Sequence, residues 1–306
     1  MRKVNWKALW VVLIAAVIML PVRSFGAVVS QFIPDMSIYS THKGGLNKPE
    51  GVACSSVYDD IVVADTGNGR LMKYTFINGK VTSQKELHPR QLVYPSELQM
   101  NSKGEIFALD RKLRRIDRLS PDGKFEGFVN STGAPSASSI IPESFKIGAN
   151  DDIYILDIFG ARIIETDPSG KYLRQMALPK GAGFITDLAL ANGKILLLDS
   201  AKADVYISSA DGTSFVPLIK NMRKYLDFPS YITYDDGLIY VVDKNGGSID
   251  LFGMDGSFHG RRAGLGWSEG LLYFPGQLCV EGDGYAVITD RENNRVQIFK
   301  IVNTAS

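Results

Sequence analysis

The sequence predicts an all-β chain, a six-bladed β-propeller of four-stranded antiparallel blades. Three observations carry that prediction. Six times an apolar run of about four residues ends in Asp, at Asp65, Asp110, Asp157, Asp199, Asp243 and Asp290, with intervals of 45, 47, 42, 44 and 47 residues. A fixed period in this range marks radially repeated β-sheets. The runs, such as Ile195-Leu196-Leu197-Leu198, are apolar on successive residues, as expected for strands covered on both faces. Helix-period patterns are almost absent beyond the first twenty residues.

Residues 1–26 read as a secretory leader. Arg2, Lys3 and Lys7 form a basic start, Ala8–Leu20 is an apolar stretch, and Ser24-Phe25-Gly26 offers small residues around a cleavage site. The apolar segment is short for a membrane span, which needs about 20 residues; an uncleaved anchor is the alternative. Residues 27–306 are then expected to form one domain.

Within each unit the same landmarks recur in order. A proline stands before the first strand at Pro49, Pro95, Pro142, Pro229 and Pro275, with Ile185 in the fourth unit. A short strand follows, then a tight turn such as Asn192-Gly193 or Asp236-Gly237 that supplies the positive φ angles of short hairpins. The apolar run is the second strand. Five residues after its Asp stand Arg70, Arg115, Arg162 and Arg295, with Asp204 and Ser248 in units four and five. An aliphatic residue at once begins the third strand, and a second turn such as Asp122-Gly123 or Asp255-Gly256 leads to a fourth. The sixth unit lacks that second turn. The segment Val29–Ser40, left over at the N-terminal end, is therefore expected to supply its outer strand and close the ring. The Asp–Arg pairs have a structural role available to them, a turn-forming carboxylate with a guanidinium reaching back as a charge-assisted brace.

The combination of Pro-x-x-aliphatic, apolar run-Asp and a following Arg-aliphatic resembles the NHL repeat of the TolB-like six-bladed propellers. Asp65-Thr66-Gly67-Asn68-Gly69-Arg70-Leu71 and Asp290-Arg291-Glu292-Asn293-Asn294-Arg295-Val296 match best, and the resemblance spans roughly residues 30–302. It implies the propeller fold. It implies less about function, because such propellers serve as enzymes, RNA binders and protein-binding modules.

The chain carries a net charge of +1, and loss of Arg2, Lys3, Lys7 and Arg23 with the leader leaves −3. A near-neutral exported protein, periplasmic or extracellular, argues against nucleic acid as a partner. The only two cysteines, Cys54 and Cys279, fall in units one and six, neighbours in a closed ring. Cys54 stands five residues after its proline and Cys279 four, so their side chains should point to opposite sheet faces. Two buried free thiols are expected on that ground, with a disulfide as the alternative in an oxidising compartment.

Strand direction places the turns after each repeated Asp and the links between blades on one face of the ring. The links run 41–48, 88–94, 131–141, 173–183, 221–228 and 260–274. The last holds Trp267, Tyr273 and Phe274, and a loop tryptophan is a frequent anchor for a partner. Arg111, Lys112, Arg114, Lys202, Lys244, Arg261, Arg262 and Arg291 are assigned to the same face, which would suit a protein or anionic glycan. The inner strands begin with Glu50, Ser96-Glu97, Glu143-Ser144, Thr186-Asp187, Ser230-Tyr231 and Gly276-Gln277, so Glu50, Glu97, Glu143 and Asp187 are candidates to hold a hard cation such as calcium at the channel mouth. No other cofactor is implied. A three-histidine zinc site is not expected, because His42, His88 and His259 all lie away from the inner strand starts. Nucleophile-elbow, phosphate-loop and His-Glu-x-x-His motifs are absent. The sequence thus favours a non-catalytic binding module in the cell envelope or outside the cell. It would be a monomer, and would meet a membrane only through an uncleaved leader. The alternative is a metal-dependent, lactonase-like hydrolase or lyase.

Overall fold

A computed structural model describes residues 28–41, 44–281 and 284–305; the leader and His42 lie outside the described residues. The repeat predicted from the aspartates folds as six four-stranded antiparallel blades. Blade 1 runs Gly51–Ser55, Asp60–Asp65, Arg70–Ile77 and Lys80–Leu87 from the axis outward. Blades 2 to 5 repeat the pattern, beginning with inner strands Pro95–Met100, Pro142–Ile147, Ile185–Ala191 and Pro229–Asp235. Blade 6 comprises Pro275–Glu281, Tyr285–Asp290 and Arg295–Ala305, and its outer strand is the N-terminal segment Val28–Ile38. That segment pairs from Val28↔Ala305 to Ile38↔Val296, with a register shift between Pro34 and Met36. A proline lacks the ladder N–H and is tolerated on an edge strand beside such an irregularity.

The successive apolar residues of the second strands are all used, because each sheet has a neighbour on both sides. Six clusters of buried side chains fill the six seams between blades. In blade 4, Leu196 and Leu198 pack toward blade 5 while Ile195 and Leu197 pack toward blade 3. Alternation along one strand thus feeds two cores.

The six repeated aspartates are wholly buried and hold the mouth-side turns. Asp110 accepts N–H bonds from Val93, Tyr94 and Leu113, and Asp243 does the same for Asp227, Phe228 and Gly246. Each thereby ties its own turn to the chain entering the same blade. The arginine brace forms in three blades, as Arg70–Asp65 at 2.6 Å, Arg162–Asp157 at 2.8 Å and Arg295–Asp290 at 2.6 Å. Arg115 departs from the expectation. It turns outward to Asp117 at 2.7 Å, a carboxylate in the third strand of its own blade.

The cysteines correct the expectation of free thiols, for Cys54 and Cys279 are joined in a disulfide with their Cα atoms 5.9 Å apart. The offset of one residue does place them on opposite faces of their respective sheets. In a ring, however, adjacent blades present opposite faces to the seam they share, so opposite parity is what lets the two side chains meet. Both cysteines pack in the cluster that fills the seam between blades 6 and 1.

Candidate functional site: mouth and plug of the central channel

The start of each inner strand is built by a register shift. In blade 2, Pro95 lies opposite Asp110, yet Glu97 already lies opposite Leu109. The same one-residue skip separates Pro142 from Ser144, Ile185 from Asp187 and Pro229 from Tyr231, and in blade 6 it falls between Pro275 and Leu278. A bulge sets two consecutive residues against one and re-aims their side chains. Strict alternation would turn only one residue of each pair inward, whereas the bulge admits both. Ser96 with Glu97, Thr186 with Asp187 and Ser230 with Tyr231 therefore line one cavity of about 110 Å³ at the mouth.

Beneath the cavity a polar plug closes the channel. Lys146 Nζ lies 2.6 Å from Glu97 Oε1 and 2.9 Å from Asp187 Oδ1, with all three side chains buried. Ser144 donates to Asp187 Oδ1 at 2.5 Å, and Asp187 Oδ2 accepts the Ile232 N–H at 2.7 Å. The ammonium also sits 4.5 Å from the centre of the Tyr231 ring. Gln277 stitches three blades together: its Oε1 accepts the N–H groups of Val52 and Leu98, and its Nε2 donates to Leu98 O.

Two acids and one base, all buried, leave one carboxyl in excess. Burial lifts Glu97 most; Lys146 pulls it down, Asp187 pushes it up, and the balance stands at about 7. Burial works against the Lys146 ammonium, yet Asp187 and Glu97 hold it above the usual lysine range. The Tyr231 hydroxyl is pushed up to about 12, mainly by burial, and stays protonated. Glu143 shifts upward as well, through burial and then Asp187, with Arg111 opposing. The folded chain thus holds a proton that the unfolded chain has released, so this stabilisation is complete below the ordinary carboxylate range and is lost as pH rises through neutrality. The unfolding free energy is expected to fall by about 2 kcal/mol at most between about pH 5.5 and about pH 8, and Glu97→Gln to flatten that profile. A wild-type unfolding free energy that rises over the same interval would contradict this assignment.

Four of the six residues that follow the repeated aspartates complete the mouth by reaching toward the next blade. Thr66 donates to Pro95 O at 2.6 Å and Ser200 to Pro229 O at 2.5 Å. Arg291 pairs with Glu50 at 3.0 Å, and Arg111 faces Glu143 at 3.6 Å. Glu50 also accepts the Tyr94 hydroxyl at 3.0 Å. Lys244 occupies the equivalent position in blade 5 and lines the same cavity.

Of the four carboxylates expected to gather around a cation, the channel brings Glu97 and Asp187 together, while Glu50 and Glu143 are matched to arginines of preceding blades. The donor set does not fit a resident hard cation as arranged, because the Lys146 ammonium stands where the two inner carboxylates converge. Among the described residues no group of three or more His, Cys, Asp or Glu is disposed to hold a metal. His88 lies beside Glu86 at the outer edge of blade 1, and His259 bonds Ser257 in the outer strand of blade 5.

The partner-facing candidates divide. Trp267 is 73% exposed on the longest link and meets Tyr273 edge-on, with ring centres 5.9 Å apart; Tyr273 in turn meets Phe274. Arg111 and Arg114 are exposed at the same face. Arg261 and Arg262 lie instead in the outer strand Phe258–Arg262, which shortens that link. Arg261 bonds Asp250 and Tyr225 O, and Arg262 bonds Ser30 O of the closing strand, so both brace the rim. The link expected at 173–183 is shortened likewise, because Tyr172–Ala177 is strand. Lys146 was not among the residues singled out from the sequence. Its signal was a charge inside Ser144-Phe145-Lys146-Ile147, two residues from Ser144 and hence on the same strand face.

No protein-family model matches this sequence. Solved structures with the same fold include a gluconolactonase from Xanthomonas campestris, at TM-score 0.65 and 14% identity over 92% of this chain and 99% of that one. Virginiamycin B lyase from Staphylococcus aureus matches at TM-score 0.61 and 16% identity over 89% and 100% of the two chains. Nidogen, in its complex with laminin, matches at TM-score 0.57 and 13% identity over 77% and 93%. The six-bladed propeller is thus shared by enzymes and a binding protein.

Proposed function

We propose that this chain is an exported propeller of the NHL type that binds a protein partner through its loop-bearing face and catalyses no reaction. The observation that carries this reading is the plug: the inner carboxylates Glu97 and Asp187 are committed to Lys146, so the axis is a structural junction. The exposed Trp267, backed by Tyr273 and flanked by Leu265 and Leu271, provides an apolar anchor on the same face. Depletion of charge around a central aromatic is typical of interface cores. The Cys54–Cys279 bridge supports an oxidising compartment.

The test is capture of envelope components by immobilised residues 27–306. Trp267→Ala is expected to weaken capture by about tenfold or more, as an interface hot spot does, and Glu97→Gln to leave it unchanged. Divalent-ion-dependent turnover of a lactone, unaffected by Trp267→Ala, would establish the hydrolase alternative and overturn the binding reading.

A further inference from the structure

Four of the six residues that follow the repeated aspartates have a side-chain partner in the next blade: Thr66 with Pro95, Arg111 with Glu143, Ser200 with Pro229, and Arg291 with Glu50. The other two, Ile158 and Lys244, donate their backbone N–H groups to Ile141 O and Phe228 O of their own blade entrances. Lys244 is the one charged residue of the set without an acid across its seam. In the two blade pairs that present an arginine, the matching acid is the first residue after the next proline, Glu143 or Glu50. For Lys244 that position is Gly276, which has no side chain. It cannot readily acquire one, because a Cβ there would stand 2.4 Å from Glu50 O and 2.6 Å from Thr289 Oγ1. Among the described residues no carboxylate lies within ion-pairing distance of Lys244 Nζ.

We propose that the channel mouth binds a compact monocarboxylate, whose charged end takes the place of the acid missing opposite Lys244. The cavity of about 110 Å³ places Lys244 beside Gly276, with the hydroxyls of Ser96, Thr186 and Ser230 and the guanidinia of Arg111 and Arg291 on its walls. The two arginines already face Glu143 and Glu50, and the floor of Glu97, Asp187 and Lys146 is neutral while its surplus carboxyl holds a proton, below about pH 7; one positive charge is then left over, which matches one carboxylate better than a doubly charged phosphate. The surroundings agree: burial draws the Lys244 ammonium below the usual lysine range, Glu50 opposes this, and Arg291 and Arg111 add to it. An ammonium held this way gains more from a charge-assisted bond than a solvated one does. The Lys146 plug forms the floor, so the ligand enters and leaves by the loop-bearing face. The proposal stands apart from the binding reading above, which concerns Trp267.

The experiment titrates purified residues 27–306 with acetate, lactate and inorganic phosphate, following the backbone amide resonances of Gly276 and Gln277 and the heat of binding. Saturable shifts with acetate and lactate are expected, with weaker or no response to phosphate. Lys244→Met should weaken carboxylate binding by about tenfold or more, the worth of one charge-assisted bond, and Trp267→Ala should leave it unchanged. Absence of a saturable response in a folded wild-type sample, equal binding by Lys244→Met, or a preference for phosphate would each overturn the proposal.

Discussion

Replacing Lys146 with methionine is expected to lower the unfolding free energy by about 3–5 kcal/mol, the usual cost of removing one partner from a buried ion cluster. The reason is what stays behind. Glu97 and Asp187 would face one another, largely buried, without the ammonium now 2.6 and 2.9 Å from them. Lys146→Arg would keep the charge but replaces a compact ammonium set between two carboxylates with a planar fork, so it should recover only part of the loss. Glu97→Gln combined with Lys146→Met should lose less than the lysine change alone, because one buried charge disappears with its partner. Emptying the plug also frees two carboxylates and the Ser144 hydroxyl. Calcium should therefore raise the denaturation midpoint of Lys146→Met and leave wild type unmoved, since an ion bound only by the folded state stabilises it. Chemical denaturation with and without the ion reads both outcomes, and a Lys146→Met protein as stable as wild type would remove the plug from its structural role.

Loss of the Cys54–Cys279 bridge is expected to have an effect of similar size. The two residues are 225 apart in sequence, so the cross-link denies the unfolded chain a very large loop. The chain-entropy account assigns about 5 kcal/mol to a loop of this length. Cys54→Ser with Cys279→Ser, or reduction of the wild type, should shift the denaturation midpoint downward with little change in slope beyond that of a more expanded unfolded state. Hydrogen exchange should show which amides open first. Those of Gly51–Ser55 and Pro275–Glu281 are expected to lose protection before the inner strands of blades 3 and 4, because the bridge spans the seam where the ring is closed by strand pairing between Val28–Ile38 and Arg295–Ala305 instead of by continuous chain. Equal stability of the oxidised and reduced proteins would show that the closing strand alone carries that seam.

The wheel itself was readable because its signal repeats. A single apolar run ending in Asp says little, but six in register, with Pro before and Arg after, leave few architectures. The closing strand followed from a deficit in the last unit and an excess before the first. The site was less readable for a physical reason. Alternation predicts which side chains of a regular strand face inward, and the inner strands depart from regularity at the point where the mouth is built. The shift between Pro95 and Glu97 has no residue signature of its own, so the paired inward positions emerged only from the register. Lys146 was hidden in another way. A lysine within a strand reads as exposed, and only the two acids from neighbouring blades, 49 and 41 residues away, make its burial tolerable. The disulfide was missed through geometry beyond the sheet, since parity arguments hold within a sheet and reverse across a ring seam.

The closing strand also sets an orientation. Arg295 begins its strand beside Asp290 at the mouth, and that strand descends to Ala305, which lies opposite Val28. Val28 consequently stands at the underside of the wheel, on the side opposite Trp267 and the Lys244 cavity.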